Sequence, residues 1–364
     1  MINIAAPVID SEERRAVDEV IESGMLAQGP KVAELEKNWA EYCGVKYALA
    51  VNSGTAAIHC ALYAAGVKEG DEVITTPYSF IATINPILML GARPVLVDID
   101  EETFNIDVSK IEAAITEKTK AIVPVDLYGQ PCDWAELQEI AKKHDLKIIE
   151  DACQAIGAEY KGIKAGALGD FGCFSLYATK NIMCGEGGIV TTNSDEASAA
   201  IRSFRQHGMV APYEYADLGY NYRMSDLHGA IAVEQLRKVD RFTAQRQRNA
   251  SLLNEALAGV KGIELPRVAD NRSHVYHQYT ILLDEGISRD EFVAKLREKG
   301  VGAGVYYPKP LHAYPHIAKL GYEAGDFPVA EDLAARVVSL PVHPKVTDED
   351  IEIIAAAVKE SVNG

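Results

Sequence analysis

Between residue 45 and about residue 205, short apolar runs alternate with stretches whose apolar residues recur every three or four positions. That alternation predicts βα units around a mostly parallel sheet, an α/β fold. YALAV (47–51) reads as a strand. It runs through the turn Asn52-Ser53-Gly54-Thr55 into a helix whose Ile58, Ala61, Leu62 and Ala65 share one face, ended by Gly66. EVITT, RPVLVDI, KAIVPV and KIIEDA follow as strands, and Trp134, Leu137, Ile140 and Ala141 mark a helix over DWAELQEIAKKHD. CFSLY and GIVTT are strands on either side of a glycine-containing loop that carries Lys180.

After this the pattern changes. A long helical stretch from Leu227 to about Leu257 breaks near Asp240, and HVYHQYTILL, a helix over 288–299, GAGVYY and a terminal helix from 348 come after it. The expectation is a large domain over residues 1–240 and a smaller α+β domain over 241–364, in keeping with about 100 to 200 residues per domain.

Composition narrows the function classes. The formal net charge is −17, from 53 acidic against 36 basic residues, and no lysine or arginine run tracks a phosphodiester backbone, so nucleic acid is not an expected partner. Neither a basic leader nor an 18-residue apolar run is present, which predicts a cytoplasmic protein that makes no membrane contact. The six cysteines form no CxxC pair and read as free thiols. Cys173 and Cys184, which flank Lys180, have no basic partner in the sequence and read as small core residues. The nine histidines show no metal-ligand spacing, and no metal site is expected.

Candidate chemistry centres on the loop after CFSLY. Alone, Lys180 would be an ordinary solvated lysine. Pyridoxal 5'-phosphate (PLP) chemistry, however, needs a lysine amine for a Schiff base and an anion that keeps the pyridine nitrogen protonated. Asp151, at the end of KIIED, suits the second role, and it also suits the bland one of a helix N-cap after a strand. A phosphate needs N–H donors and hydroxyls. The Ser53-Gly54-Thr55 turn offers them at a helix N-terminus, with Ser175 as a further hydroxyl, although plain βα loops use the same residues.

Taken together, NSGTAAI, TPYSFIAT, VDIDEETFNID, PVDLYGQ, EDACQAIGA, FSLYATKN with GEGG, and GYNYRMSD closely resemble the DegT/DnrJ/EryC1/StrS family, over about residues 25–345. These are nucleotide-sugar aminotransferases of PLP fold type I, the aspartate aminotransferase-like fold. The resemblance implies that Lys180 forms the Schiff base and that Asp151 pairs with the pyridine nitrogen. It further implies that Gln154 approaches the cofactor's phenolic oxygen, that Phe80 stacks on its ring, and that Gly54, Thr55 and Ser175 bind its phosphate. Asn221 would reach the phosphate of the neighbouring subunit, so a homodimer with a shared active site is implied; Arg223 could serve the subunit interface. VYYPKPLH places Tyr306 where the family often has histidine. Tyr307, Lys309 and His312 are candidates for contacts to the sugar or its diphosphate, and Glu186 either touches substrate or supports the loop.

The implied reaction moves an amino group from L-glutamate to a nucleotide-linked 3-keto or 4-keto hexose through pyridoxamine phosphate, with ping-pong kinetics. A keto-inositol acceptor, or a non-catalytic regulator on the same scaffold, are the alternatives. The related dehydratases carry histidine in place of the lysine, so Lys180 argues against that chemistry, and no GxGxxG follows the first strand to suggest a dinucleotide-binding dehydrogenase.

Overall fold

The computed structural model describes residues 1–363. Seven strands form the central sheet: β1 (Tyr47–Val51), β2 (Glu72–Thr75), β3 (Arg93–Leu96), β4 (Thr119–Val123), β5 (Lys147–Asp151), β6 (Phe171–Ser175) and β7 (Gly188–Thr192). Their spatial order is β1-β7-β6-β5-β4-β2-β3. All neighbours are parallel except at β7, which is antiparallel to both β6 and β1. The chain goes from β6 to β7 through a loop with no crossover helix, and a connection of that kind returns the next strand antiparallel.

Alternation along the strands builds two cores. Leu49, Val51, Val73, Val123, Ile149, Cys173 and Val190 face α3 (Gly54–Ala64) and α5 (Asp195–Phe204). Their neighbours in sequence face the other way. Ala48, Ala50, Phe174 and Ile189 meet α2 (Pro30–Cys43) and α6 (Asp226–Leu236), and Ile74, Ile122 and Ile148 meet Trp134 and Leu137 of α4 (Trp134–His144). α1 (Ser11–Ser23) packs on α6. The pattern did not mark α1 and α2, which precede the βα region.

Asp226 anchors α2 from a distance in sequence. Its carboxylate accepts the N–H groups of Gly29 (2.8 Å), Lys31 (3.0 Å) and Val32 (3.0 Å), satisfying donors that a helix N-terminus leaves open. The helix break expected near Asp240 lies at Arg237 and Lys238, between α6 and α7 (Val239–Leu257). The expected division at residue 240 therefore falls inside α7.

A third core surrounds the antiparallel strands β8 (Ile263–Glu264), β9 (Tyr279–Leu283) and β10 (Val337–Leu340), with α8 (Arg289–Glu298) and α10 (Asp348–Asn363), while α9 (Pro328–Arg336) packs its Ala330 and Leu333 in a separate cluster with Tyr78, Leu96 and Leu127. Ile2 joins the third core: its N–H donates to the Gly300 carbonyl at 2.8 Å and it bridges to Val301. The start of the chain thus packs with residues from beyond 240. GAGVYY is not a strand. Gly304 pairs there with Ser339 of β10, and Gly302 N–H donates to the Ile2 carbonyl at 2.8 Å.

Candidate active site

The turn after β1 is fixed from the sheet edge. β1 is an outer strand, and its free edge is covered: Ala50 N–H donates to Glu36 Oε1 (2.9 Å), while Arg205 Nη1 donates to the Ala50 carbonyl (2.6 Å) and pairs with Glu36 (2.5 Å). Asn52 N–H then donates to the Tyr222 carbonyl at 2.9 Å. Ser53 caps α3, its Oγ taking the Ala56 N–H (3.1 Å) and its carbonyl the Ala57 N–H (3.0 Å). That leaves the N–H groups of Gly54 and Thr55 without a partner inside the helix, at its positive end, where an anion can be held. Glycine is required by close approach. A Cβ on Gly54 would stand 2.8 Å from Ser175 Cβ and 3.1 Å from Cys153 Sγ.

Asp151 ends β5, buried to 4% exposure. Its backbone continues the sheet past β5, with N–H to the Pro124 carbonyl (2.9 Å) and carbonyl to the Asp126 N–H (3.1 Å). Oδ2 accepts from Thr83 Oγ1 at 2.7 Å and Oδ1 from Cys153 N–H at 3.2 Å. Thr83 lies in the short helical turn Ile81–Thr83 that follows Phe80, and its hydroxyl is 2.8 Å from Ser79 Oγ. Gln154 Oε1 accepts the Tyr128 N–H at 2.9 Å, which turns its amide Nε2 towards Tyr307 Oη at 3.2 Å.

Lys180 stands on the loop between β6 and β7. The loop is tied to itself by Leu176 N–H to Gly187 O (2.8 Å), Cys184 N–H to Leu176 O (2.9 Å) and Lys180 N–H to Tyr177 O (2.9 Å). The amine is therefore presented from a braced turn. Burial pushes its pKa down, only partly opposed by Cys153 and Asp151. Burial also pushes the Cys153 thiol well up, with Asp151 adding to it, and raises Tyr307 for the same two reasons.

These groups surround one cavity of about 560 Å³, within the usual range for small-molecule sites. It opens at the carboxyl ends of β1, β5 and β6, where ligands of α/β sheets bind. Gly54, Thr55, Phe80, Asp151, Gln154, Ser175, Lys180, Glu186, Tyr306 and Tyr307 all line it. Phe80 is 56% exposed, its ring centroid 6.1 Å from that of Tyr307. Tyr306 and Tyr307 are joined by a cis peptide. The Tyr306 carbonyl accepts from the hydroxyls of Tyr78 (3.1 Å) and Tyr128, and Tyr307 N–H donates to Tyr78 Oη (2.9 Å).

Three expected residues are placed elsewhere. His312 is 2% exposed, 3.0 Å from Glu331 Oε1 and packed on Phe327, and it does not line the cavity. Lys309 Nζ lies over the Tyr314 ring at 4.3 Å, away from the lining residues. Asn221 is exposed outside the cavity of its own chain, its carbonyl accepting from Asn52 Nδ2 at 3.3 Å. Thr83, Ser79, Tyr128, Tyr78 and His277 were not singled out from the sequence. For Ser79 and Thr83 the signal was their place in TPYSFIAT, and for His277 in HVYHQY.

Comparison with known proteins agrees with this architecture. The model of the DegT/DnrJ/EryC1/StrS aminotransferase family matches residues 7–359. The "Pleiotropic regulatory protein" of Geobacillus stearothermophilus is 44% identical, over 96% of this chain and 94% of that one. GDP-perosamine synthase of Caulobacter vibrioides is 41% identical, over 99% and 98%. Among solved structures, S. venezuelae DesV in complex with a ketimine intermediate superimposes with a TM-score of 0.94 at 35% identity, over 97% of this chain and 95% of that one. A putative sugar aminotransferase of Streptococcus pneumoniae in its PLP form gives a TM-score of 0.94 at 29% identity, over 100% and 98%. The chain belongs to the DegT/DnrJ/EryC1/StrS aminotransferase family and is a PLP-dependent aminotransferase of the fold type I architecture.

Proposed function

We propose that this aminotransferase moves an amino group from L-glutamate to the ketone of a nucleotide-linked hexose, at carbon 3 or 4, with both substrates using the one cavity in turn. The observation that carries the reading is the convergence of Lys180, Asp151, Gln154 and the Gly54–Thr55 turn on that cavity. Sugars are named for relatives above, GDP-perosamine synthase and the putative sugar aminotransferase of Streptococcus pneumoniae.

The residues fit PLP. The Gly54 cradle, which a Cβ would fill, offers two N–H groups and the Thr55 and Ser175 hydroxyls to a phosphate. Asp151, held by Thr83 and Cys153, offers a fixed anion to a pyridinium nitrogen, and the Gln154 amide offers a donor to a phenolate. Phe80 offers its exposed ring face for stacking. Bound PLP supplies a reactive carbonyl carbon and an electron-withdrawing ring. Lys180 then does the chain's own chemistry. Its Nζ is the covalent attachment point, and burial, by lowering its pKa, favours the amine that takes the proton from the donor's α-carbon and delivers one to the acceptor carbon. Glu186, Tyr306 and Tyr307 line the remaining space and offer a carboxylate and two phenols to sugar hydroxyls.

A second copy of the chain completes the site in this reading. Asn221 lies outside its own cavity, and exposed Val210, Tyr213, Tyr215 and Leu218 precede it in sequence. An apolar surface of that kind is a contact for another chain, and it would carry Asn221 to the partner's phosphate. A second reading, a non-catalytic regulator that binds the same ligands, is favoured only by the name of the Geobacillus relative.

A mass-spectrometric screen of the amine-loaded protein against nucleotide-linked 3-keto and 4-keto sugars, with a keto-inositol included, tests the assignment. Amination of one nucleotide sugar is expected. Turnover of the keto-inositol alone would replace the substrate class, and tight binding of a keto sugar with no amination under any donor would favour the regulator.

A further inference from the structure

His277 lies on the cavity wall and is 8% exposed. The reading of Lys180 and Asp151 leaves it without a role, although its surroundings are built with some care. Its Nδ1 is 3.2 Å from Asn181 Oδ1, and Asn181, itself 7% exposed, donates from Nδ2 to the Val275 carbonyl at 3.2 Å. Because the amide N–H is directed to a carbonyl, Oδ1 is the acceptor, and Nδ1 of His277 carries the proton. Nε2 is left as a bare acceptor. Asn181 is the residue after Lys180, so a single side chain ties the imidazole to the loop that presents the lysine.

Burial and the neighbouring charges disfavour a cation on this ring. Burial, then Lys180, Arg246 and His274, push its pKa well below the usual histidine range. Arg246 is 5% exposed and donates from Nη1 to the carbonyls of Tyr276 (2.9 Å) and His277 (3.5 Å), fixing the backbone. Cys153 and Asp151, in turn, act on Lys180 against the effect of its burial.

We propose that His277 is a positioning residue for Lys180, its Nε2 accepting a hydrogen bond from Nζ whenever the lysine is released from the cofactor. The inference rests on the covalent role of Lys180 and goes beyond it. During the half of the cycle in which the cofactor carries the amino group, the lysine is free and faces the Asp151 carboxylate. A neutral acceptor on the cavity wall competes with that carboxylate for Nζ and keeps it close to where the proton must be moved. A cation there would repel it, which is why the tautomer and the neutral state both matter.

The test is competitive acetylation of Lys180 in protein loaded with pyridoxamine phosphate, followed by peptide mass spectrometry, in wild type, His277→Phe and His277→Gln. Loss of the acceptor disfavours the ammonium, so His277→Phe should label faster at neutral pH by roughly tenfold, the effect of a one-unit fall in pKa. His277→Gln, whose Oε1 restores an acceptor, should label close to the wild-type rate. Equal labelling of wild type and His277→Phe would overturn the proposal, as would equal labelling of the two variants. Borohydride trapping of PLP on Lys180 is measured in parallel. Its failure in wild type would overturn the covalent role of Lys180, an outcome distinct from any effect of His277.

Discussion

Asp151 Oδ2 accepts a 2.7 Å hydrogen bond from Thr83 Oγ1, and that bond ties the carboxylate at the end of β5 to the turn that displays Phe80. One short contact thus sets the position of the cavity's anion against that of its exposed aromatic face.

Asp151→Asn keeps the shape and the Thr83 contact but removes the charge. Steady-state amination should fall by roughly a hundredfold or more, the scale for a lost electrostatic partner, with thermal stability nearly unchanged. Thr83→Val should cost roughly tenfold or less, since it removes one neutral-to-charged hydrogen bond.

Gly54→Ala places a methyl group 2.8 Å from Ser175 Cβ. Neither neighbour is the far end of a flexible chain, so the first turn of α3 must shift. The variant should lose stability by about 1 to 3 kcal/mol in denaturant unfolding and should bind PLP more weakly in fluorescence titration.

Asp126 and Glu150 form a buried carboxyl pair behind the site. Asp126 Oδ2 and Glu150 Oε1 are buried without a hydrogen-bond partner, and a proton held by the pair supplies the donor that neither carboxylate has. Burial pushes Asp126 up to about 6 and Glu150 well above its usual range. The folded state therefore holds protons that the unfolded chain has released, and stability must fall as pH rises through about 6 and beyond. Glu150→Gln supplies an amide donor to Asp126 without a titrating proton. Its melting temperature should stay flatter across that range and exceed the wild-type value at mildly alkaline pH; a parallel decline in both proteins would contradict the shared proton.

Asp226→Ala leaves three N–H groups at the start of α2 without their acceptor. Unfolding experiments should show a loss of about 2 to 3 kcal/mol. Cofactor binding should persist, because Asp226 does not line the cavity.

The sheet was legible because its strands are buried on alternating faces and are punctuated by turn residues. Leu49 and Val51 point one way and Ala48 and Ala50 the other, and the pattern of YALAV carries that directly. β10 was not legible: Val337–Leu340 follows α9 with no turn residue between them, so the helical period runs into the strand unmarked. In the site, Lys180 and Asp151 were legible through the motifs that resemble the family, since alone they read as a solvated lysine and a helix N-cap. Thr83 and His277 were not, since their roles depend on contacts with residues 68 and 96 positions away, which no local pattern encodes. His312 shows the converse. Its place in PKPLH suggested ligand contact, while the fold turns it onto Glu331.

The covalent role of Lys180 is tested most directly by borohydride reduction of the PLP-loaded protein and peptide mapping. The account predicts one reduced cofactor on the peptide containing Lys180, none in Lys180→Ala, and loss of the visible absorbance on adding L-glutamate before reduction. A reduced cofactor on any other lysine, or its undiminished trapping in Lys180→Ala, would contradict it.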